Sequence, residues 1–373
     1  MPRLTFARRP GAPPRSAPDR GGVAATLAIV LGCGVLLGMA AIVVDVGRLY
    51  AEREELQSGA DAAVWAVAEE CVRTPAACAD QSATAARYAT ANALDAASAV
   101  TTICGRGAGL PACPPPAANH TACLGNAPAT GPYVEIRTAT RLPDGTTLLP
   151  TTFAAAFTGG DHDGTEVGAC ARAAWGPPRI VDGLAVTIST CEWTQLTDHG
   201  TTFWPPPHLG TPPANAERIL YLKDNKSQTC PAGPSGWDAP GGFGWLDDPT
   251  GTCNVTVEVD GAYGGNTGNS APGPCKTALI DARADRRVMY LPVYDGVTGQ
   301  GSNTRYHLAG FAAFVLTGYK LSGFSAPSSL TGQQPCGGSQ RCLYGYFTRG
   351  LVPTAIGQIG GPEMGVSIVK LVG

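Results

Sequence analysis

Thirteen cysteines are the residues of this 373-residue chain with the widest chemical repertoire. A thiol can ligate a metal, attack a substrate or cross-link. Cys33 lies inside an apolar run, where a small buried thiol needs no special role. The other twelve follow it: Cys71, Cys78, Cys104, Cys113, Cys123, Cys170, Cys191, Cys230, Cys253, Cys275, Cys336 and Cys342. Structural zinc calls for paired C-x-x-C or Cys/His groups at ligand spacing, and no C-x-x-C occurs. An even set spread through loop-rich sequence instead predicts disulfides formed in an oxidising compartment. Cys253 and Cys275 flank a strand-like run and the loop GAYGGNTGNSAPGP, which one bridge would clasp. Cys336 and Cys342 surround Gly337-Gly338 and suit a short closed loop. Cys191 and Cys230 then remain as a third pair, although spacing leaves the connectivity of six cysteines open.

Other reactive residues are sparse. His120, His162, His199, His208 and His307 are scattered, mostly through polar or proline-rich loops where a histidine is ordinarily solvated. There is no G-x-S-x-G nucleophile elbow, no G-x-x-x-x-G-K-[ST] phosphate loop and no H-E-x-x-H zinc site. Asp161-His162-Asp163-Gly164 opens like a calcium loop, but the twelfth position, which needs an acid, holds Arg172. A hairpin turn is the expectation there. Pro240-Gly241-Gly242-Phe243-Gly244-Trp245-Leu246, ahead of Asp247-Asp248-Pro249, suits a carbohydrate or a partner, and equally suits a loop packed under a disulfide. No cofactor or metal is expected. The chain carries 26 Lys and Arg against 29 Asp and Glu, and its one concentrated basic stretch is the N-terminal tail, so nucleic acid is not an expected partner.

These residues must be positioned by elements, and the first of them is apolar. Residues 23 to 44 run about 22 positions without charge or proline, enough for a bilayer core that needs roughly 20 helical residues. Arg3, Arg8, Arg9, Arg15 and Arg20 precede the run, while Arg48 and Arg53 follow closely; this bias places the N-terminus in the cytoplasm. The run exceeds a signal-peptide core, and a helical pattern continues through its end, so a retained anchor is expected. Leu49, Arg53, Leu56, Ala60, Ala63 and Val67 extend that pattern to about Cys71 as one narrow stripe. A single helix over both parts would reach roughly 74 Å at 1.5 Å per residue. Its stripe would pack on the protein's own second helix or on like helices in an assembly.

Thr74-Pro75 closes this helix. Residues 79 to 100 are alanine-rich and read as a second helix, followed by a cysteine- and proline-rich loop. YVEIRTATRL, from Tyr133, alternates as a strand, with Val134, Ile136, Thr138 and Thr140 on one face. TEVGACARAAW (165 to 175) alternates again and is expected to pair with it, while TTFAAAF (151 to 157) is ambiguous. Beyond Gly176-Pro177-Pro178 the helical period disappears. LAVTIST, RILYLK, NVTVEVD, RRVMYLPVYD and LAGFAAFVLTGYKL are strand-like and separated by Gly/Pro/Asn loops, with GYFTRGLVP and MGVSIVKLV as closing strands.

Residues 20 to 68 resemble the N-terminal Tad domain of TadE/TadG-like pilus-assembly proteins. The resemblance rests on Arg20-Gly21 before the apolar run and Asp45-Val46-Gly47-Arg48-Leu49-Tyr50 after it. Gln57, Ala60, Asp61, Ala62 and Ala63 complete it. It implies a single-pass envelope protein that accompanies the Flp/Tad pilus machinery. Processed pilins of this system carry glutamate at the fifth position after the cleavage glycine; counted from Gly22 that position is Leu27, so the anchor is expected to stay attached. Some TadG-like members carry a D-x-S-x-S metal site, and this chain has no such triplet.

The expected fold is α+β. A cytoplasmic basic tail (1–22) leads to a transmembrane helix (23–44) extended by a stalk helix. A small extracytoplasmic α+β unit (45–178) and a β-rich, sandwich-like or barrel-like, disulfide-stabilised domain (179–373) follow. The expected role is a non-enzymatic, membrane-anchored component of a Tad/Flp-type pilus or secretion apparatus. Its expected partners are the lipid bilayer, other Tad components and a surface polymer. The alternative is an anchored cell-wall or polysaccharide-processing enzyme, in which acids such as Asp247, Asp248 and Asp295 meet in one cleft at roughly 5 to 10 Å.

Overall fold

The computed structural model describes residues 20–32, 36–107, 109–115, 123–153, 164–222, 244–266, 271–299, 303–334, 336–353 and 358–373. Helix α1 (Arg20–Val30) and helix α2 (Leu36–Arg73) share the apolar run, and residues 33–35 between them lie outside the described residues. Among the described residues no helix is long and apolar enough to cross a membrane. The expected single transmembrane-and-stalk helix is described as two helical segments, one on each side of residues 33–35. The first has 11 residues, and the second contributes only its first turns before Asp45 introduces charge.

Helix α2 is long because its sequence supplies strong helix formers and its own side-chain pairs. Gln57 donates to Asp61 at 3.0 Å, Trp65 to Glu69 at 2.8 Å, and Arg73 pairs with Glu69 at 2.9 Å. It stops where Pro75 disfavours helix at Thr74. Leu56, Ala60, Ala63, Val64, Val67 and Ala68 are buried, so the lower part of the expected stripe is real. That stripe meets α3 (Ser82–Ala91) and also a sheet, neither of them a copy of the chain. At Gly59 an added Cβ would sit 3.0 Å from the Ala89 carbonyl oxygen, so glycine there permits the close α2–α3 approach.

Helix α3 is shorter than the alanine-rich stretch suggested. Glu55 of α2 accepts from the Leu94 N–H at 2.8 Å, Asp95 accepts from Ala97, and Ala96 takes φ 55. The chain therefore turns, and β1 (Ala99–Arg106) begins where helix was expected. It pairs antiparallel with β2 (Tyr133–Ala139), which pairs antiparallel with β3 (Gly168–Gly176). Val134, Ile136 and Thr138 face α2 as the alternation predicts, and full burial of one such aliphatic side chain stabilises by roughly 1.5–3 kcal/mol. TTFAAAF lies mostly outside the described residues.

After β3 come β4 (Ile180–Leu184), β5 (Val186–Ser189), helix α4 (Thr190–Leu196), β6 (Arg218–Tyr221), β7 (Gly244–Leu246), β8 (Asn254–Glu258) and β9 (Ala262–Asn266). Helix α5 (Gly273–Asp285) follows, then β10 (Val288–Thr298), β11 (Arg305–Leu321), β12 (Phe324–Ala326), β13 (Cys342–Thr348), β14 (Gly350–Leu351) and β15 (Val366–Leu371). Helices α4 and α5 correct the expectation of a helix-free second half. In α5 only Cys275, Leu279 and Ala282 are buried, a three-residue stripe easily lost among glycines and prolines.

Of the two forms expected for this half, a sandwich or a barrel-like sheet, the strands adopt the closed one. Strands β10, β5, β7, β9 and β11 are hydrogen-bonded in that order, and β11 returns to β10. The ring closes because the first half of β11, a strand of 17 residues, pairs with β9 on one side and β10 on the other. Register shifts fall at Tyr294 in β10 and between Leu316 and Gly318 in β11, and such bulges raise local twist. The second half of β11 carries β13, which carries β6. Aromatic rings fill the interior: Tyr294 and Tyr306 lie 4.9 Å apart, Phe314 and Phe347 5.1 Å.

Strand β15 returns to the first sheet, giving the order β1-β2-β3-β15-β14. The face of β2 and β3 turned away from α2 holds a buried ion cluster. Glu135 accepts from Arg137 at 2.7 and 2.9 Å and from Arg172 at 2.6 and 3.1 Å. Removing the shared carboxylate leaves two buried guanidinium groups without a counter-charge. Glu135→Ala is expected to cost about 3–5 kcal/mol, read as a lower denaturation midpoint. An unchanged midpoint would show that the cluster does not hold the sheet.

Candidate functional site

The residues that carried the family resemblance occupy α1 and the upper two-thirds of α2, and most have identifiable partners. Arg20 and Gly21 form the first turn of α1. The Asp45 carboxylate accepts from the backbone N–H groups of Thr152 at 2.9 Å and Phe153 at 3.0 Å. One helical turn on, Arg48 donates to the Thr152 hydroxyl and, at 3.5 Å, to the Pro150 carbonyl. The two side chains grip one loop, 150–153, from the same face of the helix.

A second grip lies lower. Gln57 donates to the Cys170 carbonyl of β3 at 3.1 Å, and Thr138 of β2 donates to the Leu56 carbonyl at 3.0 Å. Ala60 and Ala63 are fully buried against the sheet, while Asp61 and Ala62 are half-buried at its margin. Leu49 is half-buried, Tyr50 is exposed, and an added Cβ at Gly47 would meet nothing. The motif residues thus divide into two polar clamps and a small-residue face.

Above the upper clamp the helix is apolar and, apart from the buried Ala41, largely uncovered. Met39, Ile42, Val43 and Val44 on α2, and Val23, Leu27, Ile29 and Val30 on α1, are exposed; for Val43 the exposed fraction is 69%. A helix apolar on several sides is stable only when something else buries it. Asp45 marks the boundary between this stretch and the folded body.

Five described disulfides stabilise that body: Cys71–Cys78, Cys104–Cys113, Cys123–Cys170, Cys253–Cys275 and Cys336–Cys342. Two of the three bridges read from spacing are therefore formed. Cys191 is also disulfide-bonded, whereas Cys230 lies outside the described residues. Cys104, Cys113, Cys123 and Cys170 gather around Glu135, but as disulfides they offer no thiolate to a metal.

The acids weighed for catalysis separate. Asp247 lines a cleft together with Asp182. Asp248 is occupied in its own turn. Burial pushes its carboxyl up, but hydrogen bonds from the Thr250 hydroxyl and from the Cys253, Thr250 and Gly251 N–H groups outweigh this and hold it below the usual range. Asp295 pairs with His307 at 2.6 Å across β10 and β11 and does not line that cleft. Trp245 of the glycine-rich aromatic stretch is a fully buried barrel residue, while Pro240 to Phe243 lie outside the described residues, as do His120 and Asp161 to Asp163. Arg172, which vacates the calcium position, serves the Glu135 cluster. Neither Glu135 nor Arg137 is singled out by the sequence, and the one signal available is the alternation that sets them on the face opposite Val134 and Ile136.

Residues 22–70 match the Tad family model. Its description is "Putative Flp pilus-assembly TadE/G-like", and the match spans both clamps and the exposed apolar stretch. No curated protein and no solved structure matches the chain. The Tad segment is therefore a helix in two modes, apolar and open above Asp45, packed and clamped below it.

Electrostatics inside the Tad segment give a pH test. Glu52, between the clamps, has its carboxyl raised above the ordinary 4.5 by burial and by the nearby Asp95 and Glu55 carboxylates, against the Thr140 hydrogen bond and Arg48. The folded state therefore holds this proton more tightly than the unfolded one. Stability falls as pH rises from the unfolded value through the raised folded value, and the loss persists at pH 7. Glu52→Gln is expected to melt higher than the parent chain at pH 7, with the gap closing below about pH 4. A gap of the same size at both pH values would refute the assignment.

Proposed function

We propose that this chain is a membrane-anchored, non-catalytic component of a Tad/Flp-type pilus-assembly or secretion apparatus. The observation that carries the reading is the match of residues 22–70 to the Tad family model, combined with the uncovered apolar side chains of that segment. Residues 23 to 44 insert in the bilayer, with the arginine-rich tail in the cytoplasm and the body outside. The composition of that run supports insertion, since it carries no charge over the length a hydrocarbon core requires. The arginine bias supports the orientation.

The disulfides support an extracytoplasmic body, because such bridges persist in oxidising compartments. In this reading the clamps at Asp45, Arg48 and Gln57 fix the angle at which the anchor leaves the body. Partners on the outer side of the membrane then meet the barrel in a set orientation. The helical segment above Asp45 associates with lipid and with helices of other pilus components, and the small residues Gly32 and Gly38 leave room for close approach.

Deleting the gene is expected to impair pilus assembly or surface attachment, with rescue by the full chain. The detergent-extracted protein is expected to co-purify with Tad components. Normal piliation together with an absence of such partners would sink the proposal.

A further inference from the structure

A cleft of about 690 Å³ opens beside the barrel, between the paired strands β4 and β8 and the loop that follows β7. Asp182, Asn254 and Thr256 come from the strands, Asp247 and Thr252 from the loop, and Tyr263 from the start of β9. Its size lies within the range of small-molecule sites, roughly 300–1,000 Å³.

Both sides are built rigidly. Asp182 and Thr256 are directly opposed in the β4–β8 register, and the Thr256 hydroxyl donates to Asp182 at 2.5 Å. The loop is closed by Asp248, which accepts from Thr250 N–H at 3.0 Å, Gly251 N–H at 3.0 Å and Cys253 N–H at 2.5 Å. The Cys253–Cys275 bridge ties the end of the same loop to α5. The Tyr263 hydroxyl accepts from the Glu258 N–H at 2.7 Å, which leaves its ring to the cleft.

The chemistry of the lining is one-sided. Two carboxylates, three threonine hydroxyls and an amide line the cleft, and among the described residues no lysine or arginine does. The Asp247 carboxylate is exposed and lies over Gly264, where an added Cβ would collide with its Oδ2. Among the described residues no side chain or backbone group donates to that carboxylate. Such a site repels phosphate and carboxylate ligands and rewards molecules rich in O–H and N–H donors. An aromatic face beside them suits the apolar side of a sugar ring.

We propose that this cleft binds a neutral or amino-bearing glycan, with Asp247 and Asp182 accepting from its hydroxyl or ammonium groups. The inference rests on the envelope reading above only in that the cleft must face the extracytoplasmic side to meet such a polymer. The test is calorimetric titration of the full detergent-solubilised chain with chitotetraose, tetra-N-acetylchitotetraose and tetragalacturonate. Binding of at least one of the first two, and none of the third, is expected.

Asp247→Asn and Asp182→Asn are each expected to weaken binding roughly tenfold or more, as loss of a charged acceptor does. Asp295→Asn, outside the cleft, is expected to leave affinity unchanged. Tetragalacturonate binding as tightly as the amino sugar, or folded Asp247→Asn and Asp182→Asn proteins with undiminished affinity, would overturn the proposal. Wild-type protein that co-purifies with pilus components but binds none of the oligosaccharides would overturn the glycan inference alone.

Discussion

Strand β15 takes part in both hydrophobic cores. Its backbone is hydrogen-bonded to β3, with Val369 opposite Trp175 and Leu371 opposite Ala173. Successive side chains of a strand point to opposite faces. Val369 therefore packs among the α2 residues, while Val366 and Ile368 pack into the barrel core. A one-residue slip would send Val369 to the barrel and Ile368 to the helix, so both cores fix the same register. The clamped Tad helix and the barrel with its cleft are held in one relationship by six residues, which the chain reaches only after everything else is made. Few local contacts can substitute for this pairing, since it closes a loop of nearly two hundred residues between β3 and β15.

The two sides of the first sheet use different physics. Against α2 the contact is made by small residues: Ala60, Ala63 and Ala68 on the helix, Ala171 and Ala173 on the strand. Small residues bring the backbones close and let many weak dispersion contacts add up. On the opposite face Glu135, Arg137 and Arg172 are buried and ion-paired, beneath segments tethered by Cys104–Cys113 and Cys123–Cys170. Those segments are rich in proline and glycine, and their described residues between Gly107 and Pro132 belong to no helix or strand. Cross-links limit the freedom of the unfolded chain instead. The buried charges then find polar partners in the same segments: Arg137 donates to the Pro114 carbonyl at 2.7 Å.

What the sequence made legible was local and periodic. The helical stripe from Leu56 to Val67, the alternation of β2 and β3, and the cores of β5, β6, β8, β10 and β11 were readable because one face of each is buried. What it hid was long-range or faintly patterned. Ring closure depends on β5 pairing with β7 and, about a hundred residues on, with β10, and such long-range partners leave no mark in hydrophobic period. Helix α5 shows only Cys275, Leu279 and Ala282 to the core, and α3 is cut short by Glu55, a residue of another helix. In the site, Cys253–Cys275 and Cys336–Cys342 were legible from the loops they clasp, whereas Cys71–Cys78 and Cys104–Cys113, though close in sequence, were not read as pairs. Asp182, more than sixty residues before Asp247, became its neighbour only through the β4–β8 pairing.

The clamps give the Tad residues a physical reason. A helix that must be apolar on several sides above one point and amphipathic below it cannot signal the change by packing alone, because both parts are good helix. Asp45 provides the signal. A carboxylate is costly in hydrocarbon, and here it is matched by two backbone N–H groups of loop 150–153 rather than by a distant cation. Arg48 completes the match through the same loop, so the charge pair holds its position without depending on long-range attraction that salt would screen. Gln57 repeats the device nearly three turns on, against the sheet. Two polar clamps separated along one helix resist both sliding and rotation, whereas the alanine face beyond the second clamp resists neither well. The angle and depth of the apolar segment are therefore set by hydrogen bonds to the body, which explains why the charged residues of the matched segment begin at Asp45.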